Sequence, residues 1–200
     1  MTSYLQIANL HIANLNQSFL TSLGPKFLSE IYRGIDNSES CSLIYEVVDG
    51  EIVGFVAGGT SLGPIYKAMF PRIMIWGWAL VIQLSSIGRI RRIIDILLYS
   101  QNQKIISGEG VDLPEAELFS IAVSSSERGK GIAKKLYIQL LEDFKGRGVK
   151  QFRIVVGNKL TPAHRFYIKM GAEVTTEIEL HSGETSKVYV HNVFSSPSKN

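Results

Sequence analysis

The sequence predicts an α/β domain in which a mixed central sheet of about seven strands is flanked by helices. Two observations carry this prediction. Runs rich in β-forming residues and segments with three- and four-residue hydrophobic spacing follow one another in a mixed order, and Asp49-Gly50 separates two of the β-rich runs. The length suits one domain, which we expect over residues 1–194, followed by a disordered tail at 195–200.

The N-terminal segment is expected to contain one strand and two helices. Residues 4–8 are predicted to form a short first strand. Residues 9–34 have hydrophobic side chains at helical spacing, and Gly24-Pro25 interrupts them, so we predict one helix before this break and one after it. The second helix ends near Gly34.

A hairpin and a series of alternating elements follow. The β-rich runs 42–48 and 51–60 flank Asp49-Gly50, the strongest short hairpin signal that a sequence offers. Further along the chain we predict strands at 117–123, 151–156, 173–180 and 185–193, with helices at 130–145 and 161–170. The helix at 130–145 has apolar residues on one stripe and charged residues opposite, which is typical of a helix packed on a sheet.

The composition excludes several classes of protein. The net charge of +3, from 21 basic and 18 acidic side chains, is too small for a typical nucleic-acid binder. Cys41 is the single cysteine, so an intramolecular disulfide cannot form, and no motif nearby marks it as a catalytic thiol. The four histidines lack metal-ligand spacing, so we expect no metal site. No basic segment followed by an apolar stretch opens the sequence, so we expect a cytoplasmic protein without a signal peptide.

The strongest functional pattern lies between residues 121 and 133. A strand enters a polar turn, then a loop with Gly129 and Gly131, and then an amphipathic helix. Glycines let the backbone approach a ligand closely, and the first amides of a helix attract anions, so this arrangement favours a pyrophosphate, with added charge from Arg128 and Lys130. The spacing fits neither the Walker loop nor the dinucleotide fingerprint. The alternative interpretation is an ordinary surface turn.

This segment resembles motif A of the GNAT N-acetyltransferases, Arg/Gln-x-x-Gly-x-Gly/Ala, with Arg128, Gly131 and Ala133 at the defined positions. The resemblance implies the GNAT fold and acetyl-CoA as co-substrate. It implies that backbone amides of the loop and the first helical turn hold the CoA pyrophosphate, at Arg128, Gly129, Lys130, Gly131, Ile132 and Ala133. It also implies that the preceding strand pairs with the pantetheine arm, through Ile121, Ala122 and Val123.

A second segment, 158–172, is similar to motif B of the same family, Asn-x₄-Ala-x₂-Phe-Tyr-x₂-x-Gly-Phe, with Ala172 where phenylalanine is more usual. By this resemblance Asn158 contacts the pantetheine arm, and Tyr167 is the general acid that protonates the CoA sulfur. The alternatives are a turn residue at 158 and a core aromatic at 167. The strong match covers about 117–172, because the first 60 residues agree with the family only in element order.

The resemblance implies an N-acetyltransferase that moves an acetyl group from acetyl-CoA to an amine by direct attack. The amide of Val123 would polarise the thioester carbonyl, and the general base would be Glu117, with Glu115 or a chain of waters as alternatives. The acceptor class suggested by analogy is an amino sugar or another small amine. A protein or peptide N-terminus, and a non-catalytic acyl-CoA-binding module at a membrane, are the competing functions.

Residues 61–110 are expected to form a helical insertion. Residues 73–88 are uncharged, but a helix of this length reaches roughly 24 Å, short of the ~30 Å hydrocarbon core of a bilayer. Residues 87–98 place apolar side chains at helical spacing, and the insertion contains six basic and two acidic residues. One interpretation is an interfacial segment in peripheral contact with anionic lipid. The preferred one is a helical pair that caps the acceptor site and packs on the domain or on a partner in a dimer.

Overall fold

The computed structural model describes residues 3–15, 21, 24–60, 104–105, 112–180 and 184–195. These residues form four α-helices, which are α1 (Ser3–Asn14), α2 (Gly24–Asp36), α3 (Ile132–Gly146) and α4 (Thr161–Lys169). They also form seven strands, which are β1 (Cys41–Val48), β2 (Glu51–Gly59), β3 (Lys104–Ile105), β4 (Glu117–Val123), β5 (Gln151–Gly157), β6 (Glu173–Leu180) and β7 (Glu184–Asn192). The α/β class with a mixed sheet is therefore confirmed.

All seven strands belong to one sheet, in the order β1-β2-β4-β5-β7-β6-β3. Its neighbouring strands are antiparallel except for β4 and β5, which run parallel. This parallel ladder has two register pairs, Glu117 with Arg153 and Leu118 with Ile154. The two central strands therefore pair where they begin and separate beyond Leu118.

The predicted strand at 4–8 is wrong, because these residues belong to helix α1. Ile7, Ala8 and His11 are buried in the helix, and their three- and four-residue spacing is helical. They pack against α2 and β2 rather than pairing with a strand. Residues 104 and 105 belong to the predicted helical insertion, but they form the short strand β3, which pairs with β6, so the helical prediction is wrong at these two residues. The remainder of the predicted insertion at 61–110, and residues 196–200 of the predicted tail, lie outside the described residues.

Helices cover both faces of the sheet. On one face, α1 and α2 pack over β1, β2 and β4, in a cluster that includes the buried side chains of Leu28, Tyr32 and Phe55. On the other face, α3 packs on the sheet through the stripe that the sequence predicts, with Leu136, Tyr137, Leu140, Leu141 and Phe144 buried. Within the described part of the chain, no helix is both long enough and apolar enough to span a bilayer.

A buried polar chain crosses from α1 through α2 to β4. His11 Nδ1 lies 2.6 Å from the Tyr32 hydroxyl, which in turn lies 3.1 Å from Ser120 Oγ. His11 is 2% exposed, and burial lowers the pKa of its imidazole to about 4. His11 is therefore neutral in the folded protein at neutral pH, because burial disfavours the charged imidazolium.

We expect this histidine to make folding stability depend on pH between about 4 and 6.5, the folded and ordinary pKa values. The contribution of neutral His11 to the free energy of unfolding is complete above pH 6.5, the ordinary pKa, and is lost as the pH falls toward 4. The total loss is roughly 3 kcal/mol, because the folded and unfolded pKa values differ by about 2.5 units. Chemical denaturation over this pH range measures the effect. His11→Gln does not titrate and keeps a hydrogen-bonding group for Tyr32, so its stability should fall less steeply. Parallel pH profiles for the two proteins would contradict the assignment.

Candidate active site

The loop between β4 and α3 is shaped by two glycines. After the 3₁₀ turn Ser125–Glu127, Gly129 and Gly131 both adopt a φ of 82°, in the left-handed region that residues with a side chain rarely enter. A Cβ built on either glycine meets no atom within 4 Å, so the open side of the loop faces free space. Glycine is therefore required here by the backbone conformation, and not by a lack of space for a side chain.

Helix α3 begins with exposed amides. Gly131 is its N-cap residue and has no side chain, so no side-chain cap satisfies the first turn. The amides of the first helical turn, which begins at Ile132 and Ala133, have no partner within the helix and lie at the positive end of its dipole. The loop and the helix start thus present several N–H donors around open space, as a bound diphosphate requires.

The two basic side chains of the loop are partly engaged by other groups. Arg128 Nη2 donates to Asn14 Oδ1 at 2.7 Å, which links the loop to the last residue of α1. Lys130 Nζ lies 2.8 Å from a Glu127 carboxylate oxygen, and the lysine side chain is 60% exposed. An exposed pair of this kind is weak and rearranges readily. We call residues 128–131 and the first turn of α3 the cradle. Its backbone amides have fixed positions, whereas the side chains of Arg128 and Lys130 can move.

Strand β4 leads into this cradle beside a gap in the sheet. Ile121, Ala122 and Val123 pair with β2 on one side, whereas the described ladder to β5 ends at Leu118 on the other. A register shift in the β2 ladder leaves Phe119 as an extra residue of β4, and such a bulge redirects a strand. The β5-facing edge of residues 121–123 can therefore accept an extended ligand in the way that an edge strand accepts another strand.

The predicted general acid, Tyr167, lies on α4 among aromatic side chains. Its side chain is 5% exposed, and its ring centroid lies 6.1 Å from that of Tyr137 and 6.2 Å from that of Tyr189. Burial raises the pKa of the Tyr167 hydroxyl. This tyrosine is therefore a neutral hydrogen-bond donor at physiological pH, as both a general acid and a core aromatic would be.

Asn158 follows β5 directly and is tied to β7. Its Nδ2 atom donates to Thr185 Oγ1 at 2.5 Å, and its backbone amide donates to the Thr185 carbonyl at 3.2 Å. These bonds fix the end of β5 on the side away from β4. The residue sits at the wide end of the gap, where the two central strands have separated.

Glu117 lies at the narrow end of the gap. Its side chain is 24% exposed, and Nε and Nη2 of Arg153 both lie 2.8 Å from its Oε2 atom. Burial raises the pKa of this carboxyl, and the Arg153 guanidinium opposes part of the rise. Glu115, the alternative base, is exposed and precedes the strand. Glu117 is thus partly buried and paired with an arginine, whereas Glu115 is exposed to solvent.

Sequence reasoning missed Arg153 and the hydrogen-bonded pair of Tyr32 and Ser120. A pattern for Arg153 was present, because it is the charged residue in a strand whose alternate residues Phe152 and Ile154 are buried. Nothing local linked it to Glu117, which lies 36 residues earlier. Among the residues that the structure describes, no group of histidine, cysteine, aspartate and glutamate side chains is arranged to hold a metal ion.

Comparison with known structures finds the same fold in several solved proteins. An acetyltransferase of the GNAT family from Desulfovibrio desulfuricans superimposes with a TM-score of 0.59 at 13% identity, covering 95% of this chain and 92% of that one. An aminoglycoside 6′-N-acetyltransferase complexed with coenzyme A gives 0.58 at 13% identity, covering 98% and 93%. A protein from Bacillus anthracis str. Ames in complex with acetyl coenzyme A gives 0.51 at 14% identity, covering 80% and 67%.

A sequence profile gives the decisive match. The profile of the Acetyltransferase (GNAT) family matches residues 7–172, which include most of α1, the whole of α2, the strands β4 and β5, the glycine loop and α4. None of the curated proteins matches the chain significantly. The chain therefore belongs to the GNAT acetyltransferase family and is an acyl-CoA-dependent N-acetyltransferase.

Proposed function

We propose that this enzyme transfers the acetyl group of acetyl-CoA to the amine of an amino sugar or another small amine, by direct attack. One observation carries the proposal. The two central strands separate directly beside an uncapped, glycine-lined helix start, so an extended ligand that ends in a diphosphate fits the gap and the cradle together. The pantetheine and pyrophosphate of CoA have this form.

Each proposed residue has one task in this reaction. The amides of the loop and of the first turn of α3 bind the pyrophosphate, and the β5-facing edge of residues 121–123 pairs with the pantetheine arm. The Val123 amide donates to the thioester oxygen as negative charge develops there. Glu117 takes a proton from the attacking amine, directly or through water, and Tyr167 gives a proton to the sulfur as the C–S bond breaks. The amine nitrogen gains the acetyl group.

A groove at the beginning of β5 supports a polar, cationic acceptor. Gln151 lies on the same side of β5 as Arg153, and it helps to line a groove whose described walls also contain Asp112, Glu173 and Asn192. Two carboxylates and two amides suit an acceptor with several hydroxyl and ammonium groups. The structural neighbour that acts on aminoglycosides is consistent with this acceptor class.

Calorimetry and a thiol-release assay test the proposal. We expect CoA to bind the purified protein with measurable heat and a higher melting temperature, and to bind more tightly than ATP, which has phosphates but no pantetheine arm. Release of free CoA from acetyl-CoA should depend on an added amine, with amino sugars among the best acceptors. Binding of CoA without any amine-dependent release would favour a sensor over an enzyme, and absence of binding would overturn the proposal.

A further inference from the structure

Glu117 and Arg153 form a close pair in the short stretch where the central strands meet, one residue before the ladder ends at Leu118. The two residues lie opposite each other in the parallel ladder, and the Arg153 amide donates to the Ala116 carbonyl at 2.8 Å. The side chains repeat this connection, because Nε and Nη2 of the guanidinium both reach Oε2 of the carboxylate. Main chain and side chain thus fix the position of Glu117 relative to β5.

The form of this contact restricts the orientation of the carboxylate. Two donors of one rigid guanidinium converge on a single oxygen, which leaves Oε1 as the oxygen that Arg153 does not engage. The side chains of Arg153 and Glu117 are 18% and 24% exposed, so solvent screens the pair less than it screens a surface ion pair. The contact therefore has the rigidity that a base requires if one oxygen is to face its substrate.

Arg153 is also the cation that faces Glu117 among the described neighbours. On β2 the opposite residue is Gly59, which has no side chain. Helices α1 and α2 reach this face of β4 through His11 and Tyr32, and burial lowers the pKa of His11 so that its imidazole is neutral. Glu115 on the flank of β4 is exposed and has the same charge as Glu117. Helix α3 packs on the opposite face, with Leu118.

We infer that Arg153 is a positioning residue, which holds the Glu117 carboxylate charged and aims its Oε1 atom at the acceptor amine. The inference rests on the proposed function and assigns that function a residue outside motifs A and B. Arginine suits the role because it stays protonated throughout the working pH range and donates two bonds in one plane. The same contact stabilises the narrow end of the gap, so the test needs a measurement that a purely structural role would leave unchanged.

The pH dependence of kcat/KM for the amine, at saturating acetyl-CoA, provides this measurement. In Arg153→Gln we expect the acidic limb of the profile to move to higher pH by about one unit or more, because burial then acts on Glu117 without an opposing cation. In Arg153→Lys the charge remains, so the limb should stay within about 0.3 units of wild type, while kcat falls about fivefold because an ammonium group lacks the paired, planar donors. The Kd for CoA should change by less than about twofold in both variants, since the phosphate cradle is untouched.

Two outcomes separate the inference from the function on which it rests. Glu117→Gln should remove the acidic limb; if that limb persists unchanged, Glu117 is not the base and the proposed mechanism needs another one. If Glu117→Gln removes the limb but Arg153→Gln leaves it at the wild-type pH, the inference about Arg153 is wrong and the proposed function stands. Should Arg153→Gln not fold, a limb in Arg153→Lys that moves up by a full unit would also overturn the inference, because the charge is retained there.

Discussion

Replacing Tyr167 with phenylalanine should lower kcat by about 10²–10³-fold and leave the Kd for CoA within about twofold of the wild-type value. The hydroxyl is proposed to protonate the departing sulfur, and this proton is needed only as the C–S bond breaks. Binding of the cofactor is proposed to depend instead on the amides of the loop between β4 and α3, which the substitution does not touch. Steady-state kinetics and calorimetry on the same preparation measure both quantities.

Tyr137→Phe is the matched control for this experiment. Tyr137 lies in the same aromatic cluster, with its ring centroid 6.1 Å from that of Tyr167, and its hydroxyl is buried without a hydrogen-bond partner among the described residues. Its removal should change kcat by less than about threefold, because it leaves no other group unpaired. An equal loss of kcat and of CoA affinity in Tyr167→Phe would count against a general acid and favour a purely packing role.

Replacing Gly131 with valine should raise the KM for acetyl-CoA by about 5–30-fold, with a smaller change in kcat. Gly131 has a φ of 82°, and a β-branched residue in this region costs about 1–2 kcal/mol. The loop of the variant avoids this strain by leaving the left-handed conformation, which turns the amides of the cradle away from the pyrophosphate. Cofactor binding then has to restore the strained conformation, so the loss appears in binding rather than in the chemical step.

Gly148→Val separates the effect on the cradle from a general loss of stability. Gly148 follows α3 at its opposite end, has a φ of 75°, and, like Gly131, has open space where a Cβ would be. The two variants therefore introduce a similar backbone strain at opposite ends of one helix. We expect Gly148→Val to lower the melting temperature and leave the KM for acetyl-CoA unchanged. Equal KM values in the two variants would show that the loop does not hold the diphosphate.

The elements of the site that sequence reasoning recovered are local in the chain. The strand, the glycine loop and the amphipathic helix occupy 117–146 without interruption, and their backbone conformations depend on residues within a few positions of each other. Positive φ values at Gly129 and Gly131, and the buried stripe of α3, follow from residue type and from periodicity. For this reason the sequence alone indicates the position and the backbone conformation of the loop that we propose binds the pyrophosphate.

Helix α1 shows where local patterns fail. Apolar and polar residues mix between Tyr4 and Ala8 in a way that suits a short strand as well as a helix, and a segment of this length has little preference of its own. The choice depends on burial, because Ile7, Ala8 and His11 become inaccessible only when the helix packs on α2 and on Phe55 of β2. These partners are distant in the chain, and no short window of sequence contains them.

Residue types and their spacing are enough to predict the α/β class, the position of the glycine loop and the two segments that resemble the family motifs. The tertiary structure decided which strands are neighbours, and therefore that β4 and β5 separate after two register pairs and that Arg153 meets Glu117 across 36 residues of chain. The physical reason is the range of the forces involved. Backbone conformation and helix periodicity are set by nearby residues, whereas strand order and ion pairing depend on the burial of surfaces that only the complete fold brings together.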